Sequence, residues 1–420
     1  MNESAAATDL SPAPLSLEID TTAAPGPYVV VHTLTTVTGV NLNADLDGLP
    51  KRALYGGAER LRVSAQSLTR AARVHVRAAT APDQQAATSR LLPEQTARRL
   101  TDDHGMDPAD ALPAAVLITA AAGIGVSLER PGQTKAPINI PTTAPKDLAH
   151  LVHTHQGELA DAITAMDDLI TTSLTDRTFT GRARRKAPSR TAAKETSATA
   201  GPVALVPAPL ADLARGAFAP GSCEEIALFG RMLAELPHGT QPSSVQIAHS
   251  LSVDPLDILT DDFALTDDWQ DLGVFGSPMR GVNYLAGGTL YRYAALDRRA
   301  LRTHLARTAP DTDTERAAQR AERRFVTAAA YAMPAARSSR TGSAVLPTLV
   351  IAAGCDIPAT AMPAFETPLH PPATGPAADA LAAFLTRLPP AARPRAGTAR
   401  WMGHTPPPAL PDRLTHETAR

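Results

Sequence analysis

Phosphate binding is the chemistry that the residue types between positions 43 and 73 suit best. Lys51, Arg60, Arg62, Arg70 and Arg73 set cations around a Gly56-Gly57 pair, with Ser64 and Gln66 among them and Asn43 in the loop before. Glycine adopts positive φ without strain and lets another backbone come close. Ser64 is a natural helix N-cap, and a helix start flanked by Gly and Arg attracts anions. Other chemistry is thinner. Asp45 and Asp47 are carboxylates in the same loop, but loop carboxylates mostly cap turns or stay solvated. His150, His153, His155 and Glu158 are metal-ligand types. On a helix His150 and His153 would share a face and His155 would point elsewhere, which makes a poor first shell and argues against a bound metal. No GxSxG and no GxxxxGK[ST] is present, so neither a nucleophile elbow nor a nucleotide loop is indicated.

The elements that must position these residues can be read in order. Residues 1–27 are rich in Ala, Ser, Thr and Pro and read as a flexible leader. The β-branched run YVVVHTL, 28–34, predicts a strand buried on both faces. A short strand over 60–63 then leads into a helix from Ser64, with Leu68, Ala71, Ala72 and Val76 inward and Gln66, Arg70, Arg73 and Arg77 outward. A helix is expected over 93–102, entered through Pro93. The apolar run 115–128 suits a strand or a helix and is read as a strand of the central sheet, and 145–174 has helical period. Helical character returns over 223–236, a strand spans the region 282–296, a helix runs over 313–331 and a strand over 348–353. Tyr291 and Tyr293 should share one face of their strand with Arg292 on the other, as core residues or as base-stacking platforms. After 371 a helix is expected over 377–388, then a loose Pro-rich tail.

Composition bounds the partners. Of 420 residues 44% are hydrophobic and 20% charged, ordinary for a globular chain, while 38 prolines point to long irregular connections. The formal net charge is −2, so nucleic acid could be held only by local patches. Cys223 and Cys355 lie far apart and form no CxxC, which indicates neither a disulfide framework nor a zinc site and fits a reducing compartment. No apolar run reaches membrane-spanning length, so a cytoplasmic protein without a membrane partner is expected. The basic run Arg182, Arg184, Arg185, Lys186 is either a solvated insert or a mobile arm touching phosphates.

Several of these segments together resemble the guide-RNA-binding backbone subunit of the type I-E CRISPR Cascade complex, the CasC family. The family pattern is a strand ending in H-x-L, then x-N-L-N-R-D, a Lys, a G-G turn, R-R-x-R-(V/I)-S-S-Q and a basic helix. His32, Leu34, Asn41, Leu42, Asn43, Asp45, Lys51, Gly56, Gly57, Arg60, Arg62, Val63, Ser64, Gln66, Arg70 and Arg73 fall on it. Ala44, Glu59 and Thr69 depart from it, each removing or reversing a charge. IALFGRM, the block VQIAHSLSVDPLDILTDDFALTDDW over 245–269, TLYRYAALD and AFETPL follow in the family's order, so that the resemblance covers about 28–370.

The resemblance implies an α+β fold with an RRM-like (ferredoxin-like βαββαβ) palm over 28–370, inserted fingers, a thumb near 245–269, a basic insert near 176–200 that touches DNA, and a Pro/Ala-rich segment over 371–420. It implies RNA contacts at Asn43, Lys51, Gly56, Gly57, Arg60, Arg62, Ser64, Gln66, Arg70, Arg73, Arg337 and Arg340. By position Met232, Leu251, Val253 and Leu256 would be the thumb's wedge into the base stack. The implied role is scaffolding without catalysis or cofactor. Copies would assemble head to tail on the crRNA beside other Cascade subunits, and the crRNA would pair with target DNA. A cleaving type III relative and a degenerate paralogue with weakened RNA binding are the competing expectations.

Overall fold

The computed structural model describes residues 19–180, 199–219, 223–236, 239–264, 279–308, 313–335, 345–401 and 414–418. It divides into two compact units, one of residues 1–79, 244–303 and 312–420, the other of 80–243 and 304–311.

The first unit is built on strand β1, Tyr28–Val40, whose β-branched residues are buried on both faces through its first half. Strands β2 (Arg52–Tyr55) and β3 (Ala58–Val63) form a hairpin, and helix α1 (Ala65–Ala78) follows. Later come β6 (Val245–Ile247), β7 (Ser250–Ser252), β8 (Ile258–Ala264), the long β9 (Arg280–Asp297) and β10 (Leu349–Cys355). The tail adds β11 (Arg395–Trp401) and β12 (Leu414–Thr418). Their order is β12-β11-β10-β1-β9-β7-β3-β2, with β6 and β8 also on β9. β1 runs antiparallel to both β10 and β9, with His32 opposite Ile351 on one side and Tyr293 on the other.

Both faces of this sheet are covered. Val30, Leu34, Tyr291, Tyr293 and Ile351 pack with Phe365 and with Ala377, Ala378, Leu381 and Leu385 of a C-terminal helix, Thr374–Arg387. On the opposite face Val31, Arg292 and Ala294 line a small cavity with Leu68 and Ala72 of α1 and Ala328 of a helix over Thr314–Tyr331. Beyond Ala286, the N-terminal part of β9 pairs with β8 alone, so these strands leave the sheet as a two-stranded arm.

The second unit is mostly helical. Helices α2 (Leu92–His104), α3 (Pro108–Ala121), α4 (Ala144–Thr154), α5 (Gln156–Thr180) and α6 (Ala208–Gly216) surround one apolar core, the short α7 (Glu224–Phe229) packs Ile226 with Cys223 and Ala86 in a smaller cluster, and β4 (Ala86–Ser89) pairs with β5 (Ile138–Pro141). The chain then supplies α8 (Arg298–Thr308), α9 (Thr314–Tyr331) and α10 (Thr374–Arg387), the last two being the helices on the sheet.

Three expectations are corrected. The run 115–128 is no strand: α3 starts at an Asp107 cap with Pro108 at its first turn and ends at Ala121, before Gly123 at φ 93°. It is buried on every side, so no helical period shows in its sequence. Residues 19–26 are not loose. Ile19 is fully buried, and Arg298, ion-paired to Glu322 at 2.6 Å, donates to the carbonyls of Thr21, Ala24 and Gly26. The tail is not loose over 395–401 either, because β11 pairs with β10.

Candidate nucleic-acid interface

The Gly56-Gly57 turn is a two-residue hairpin loop joining Tyr55 to its partner Ala58, with φ of 59° and 77°. Two successive positive φ values make a type I′ turn, whose twist suits the flanking strands. A Cβ on Gly56 would lie 1.6 Å from the carbonyl oxygen of Glu366, whereas Gly57 has open space. The backbone that comes close is therefore this chain's own. Arg60 belongs to the same structural set. It is completely buried, and its guanidinium donates to the carbonyls of Tyr55, Ser252, Val253, Phe365 and Glu366 at 2.7–3.3 Å. Burial lowers its pKa, with Asp254 and Tyr55 acting the other way. The expected RNA contact at Arg60 is thus corrected: its donors are spent on the fold.

Lys51, Arg62 and Arg70 are placed differently. Asn43 ties the loop to the helix, its carbonyl accepting from Lys51 N at 2.8 Å and its Oδ1 from Ser64 N at 3.1 Å. Lys51 O accepts from Arg62 N at 2.8 Å. Ser64 caps α1 by accepting from Ser67 N through Oγ. Lys51, Arg62, Ser64 and the first turn of α1 are so brought together, with Gln66 and Arg70 exposed on the outer face and Arg73 half-buried. Lys51, Arg62 and Arg70 have no side-chain partner among the described residues, and Arg62 Nε is buried without a hydrogen bond. Glu59, by contrast, pairs with Arg52 at 3.1 Å, while Ala44 sits in a bridge with Pro50 and Thr69 is half-buried.

One polar side chain at this helix start lacks an assigned role in the sequence reading. His249, in the VQIAHS motif, is exposed, and its Nδ1 accepts from Ala65 N at 3.0 Å. A bulge puts it there. Ile247 pairs with Ala294 and Leu251 with Tyr291, so the chain through His249 spends one residue more than β9.

The proposed wedge does not hold as a set. Val253 is fully buried in the core under α10, Leu256 packs against the cluster of Val40, Leu61 and Leu68, and Leu251 is half-buried opposite Arg62. Met232, in the second unit, is 79% exposed. The apolar side chains exposed on the β8–β9 arm are instead Leu259, Phe263 and Val282, with the Phe263 ring over Gly281. Tyr291 and Tyr293 share a face as expected and are both core. The Tyr291 hydroxyl lies 2.8 Å from His32 Nδ1 and accepts from Ala361 N, and burial pushes its pKa up. Arg292, on the other face, donates to the carbonyls of Ala330 and Ala332, its pKa pulled down to about 10 by burial.

Asp45 is a turn residue, its Oδ1 accepting from Asp47 N and Leu49 N, and Asp47 is exposed. His153 stacks on His104 with ring centres 4.4 Å apart, and His155 turns to Glu158 at 3.0 Å. No cluster among the described residues could hold a metal ion, and no described helix is long and apolar enough to cross a membrane. Arg182, Arg184, Arg185, Lys186, Arg337 and Arg340 lie outside the described residues.

Two solved chains share the fold. One belongs to a CRISPR RNA-guided surveillance complex, pre-nicking, with TM-score 0.71 and 24% identity over 94% of this chain and 96% of that one. The other belongs to a CRISPR RNA-guided surveillance complex, with TM-score 0.64 and 23% identity over the same shares. Among curated proteins there is no match. The family of CT1975-like proteins matches residues 29–404, nearly the whole of the chain, which therefore belongs to that family.

Proposed function

We propose that this chain is a guide-RNA-binding backbone subunit of a CRISPR RNA-guided surveillance complex, of the type I-E kind. The observation that carries the reading is the ridge where Lys51, Arg62, Gln66 and Arg70 converge on the start of α1 with their side chains unspent. Such groups suit phosphodiester oxygens, which position a strand without reading its sequence. A crRNA held by its backbone keeps its base edges free to pair with DNA. The fold of the two surveillance-complex chains supports the same reading. So does the strand order β10-β1-β9-β7, with α1 after β1 and α9 between β9 and β10, which suits an RRM-like palm. The β8–β9 arm is the natural thumb, with Leu259, Phe263 and Val282 in place of the buried Val253.

In this reading the protein is cytoplasmic, binds no cofactor, catalyses nothing and propagates head to tail along the crRNA beside other subunits. Asp45 accepts two backbone N–H groups in its turn, which favours scaffolding over Mg²⁺-dependent cleavage. The Arg52–Glu59 pair favours one variant, a paralogue with weakened RNA affinity. The test is co-expression with a repeat-spacer RNA and the operon neighbours, then size exclusion and extraction of RNA from the peak. A large particle with a discrete RNA is expected. A monomer free of RNA would overturn the reading.

A further inference from the structure

A backbone amide can only donate, so the Ala65 N–H···Nδ1 bond of 3.0 Å leaves Nδ1 of His249 with a lone pair. The proton of the neutral ring is then on Nε2. The ring is exposed, and Nε2 has no partner among the described residues. Two features of the fold hold it so: the bulge between Ile247 and Leu251 that ejects the side chain from the sheet, and the Ser64 cap that presents Ala65 N. We propose that His249 is a further RNA contact, its Nε2–H donating to a phosphodiester oxygen at the start of α1. The inference rests on the proposed guide-RNA binding and adds a neutral, directional donor to a ridge whose other members are cations and an amide. A cation near the strand attracts any phosphate, whereas one N–H of fixed direction accepts an oxygen at one place, so His249 sets the register of the backbone on the ridge.

The two ring nitrogens can be separated by substitution. Asn places its Oδ1 where Nδ1 stands and keeps the bond to Ala65 N, with nothing at the Nε2 position. Gln places an amide N–H near Nε2 and gives up the acceptor. Full-length protein carrying His249→Asn, His249→Gln or Arg70→Ala is titrated with a single-stranded repeat-spacer RNA at several salt concentrations, and each variant is melted. His249→Asn should melt like the parent and bind about 5-fold more weakly, the worth of one neutral hydrogen bond, with an unchanged salt slope. His249→Gln should melt lower and bind, while folded, within about 2-fold of the parent. Arg70→Ala should flatten the slope by about 0.7, as one lost phosphate contact does on a single strand. His249→Asn binding as the parent does would overturn the inference while the Arg70 result upholds RNA binding on this ridge. A parent that binds no RNA, or an Arg70→Ala slope equal to the parent's, would overturn both.

Discussion

A guanidinium has five donors, and those given to the fold are not available to a ligand. Arg60 gives its own to five carbonyls and is fully buried, while Arg70, ten residues on along the chain and in α1, keeps all of them. Arg60→Met should therefore cost stability, about 3 kcal/mol, through carbonyls of residues 252, 253, 365 and 366 left unmet in the core. Arg70→Ala should stay within about 0.5 kcal/mol of the parent in denaturant unfolding, since it is an exposed residue without a partner. A drop at Arg70 equal to that at Arg60 would refute the assignment. His32 gives a second residue-level expectation. Burial lowers its pKa from 6.5 to about 3, so the folded state binds fewer protons than the unfolded one. Its contribution is fully present above pH 6.5 and is lost as pH falls from there toward 3, by up to ~1.4 kcal/mol per pH unit. Unfolding measured at pH 7 and pH 5 should show the parent losing about 2 kcal/mol more than His32→Gln. Equal losses would mean that His32 titrates in the fold as it does in the unfolded chain.

At the scale of elements the β2–β3 hairpin matters most, because its turn docks on the 362–366 segment and its second strand leads into α1. Two neighbouring glycines separate the causes. Gly57→Ala meets open space and carries only the penalty of φ 77°, about 1 kcal/mol. Gly56→Ala adds a Cβ 1.6 Å from the Glu366 carbonyl, so it should cost clearly more, about 3 kcal/mol, and loosen the 362–366 segment in hydrogen exchange. Equal melting of the two variants would show that the hairpin lifts away without penalty. This hairpin also marks what a reader of the chain can and cannot see. Ser64, Gly56-Gly57 and the 3.6 period of Leu68, Ala72 and Val76 announce a turn, a cap and a helix, and all form. The direction of a side chain across a strand is different. Arg60 and Arg62 look alike in spacing, and only the 366 carbonyl and the 252–253 strand, remote in sequence, decide which is buried. Helix α3 hid for the opposite reason: apolar on every side, it shows no period. His249 stood in a visible motif, but its ring is aimed by a bulge, and a one-residue excess over β9 exists only once the strands are paired.

For the whole molecule the controlling number is the formal net charge of −2, which supplies no long-range attraction for a polyanion. Binding must then grow from the local balance of the ridge, and that balance is unusually thin. Glu59 holds Arg52 at 3.1 Å with both side chains about half exposed, Ala44 carries no charge beside Asp45, and Thr69 stands next to Arg70 on α1. An exposed pair of this kind adds little to stability, so replacing Glu59 should leave the fold intact and release Arg52. The combined variant Ala44→Arg, Glu59→Arg, Thr69→Lys places three new cations along the proposed path. Each phosphate newly neutralised on a single strand steepens the log-affinity against log-salt slope by about 0.7, so three contacts should steepen it by about 2. The gain should be large at low salt and shrink as salt rises, because counterion release and not a new specific contact drives it. Competition with unrelated RNA of equal length should be equally strengthened, since phosphate contacts carry no sequence information. An unchanged slope in a variant that melts like the parent would show that these positions face away from RNA. The cation ridge would then be shorter than proposed and confined to Lys51, Arg62 and Arg70 at the start of α1.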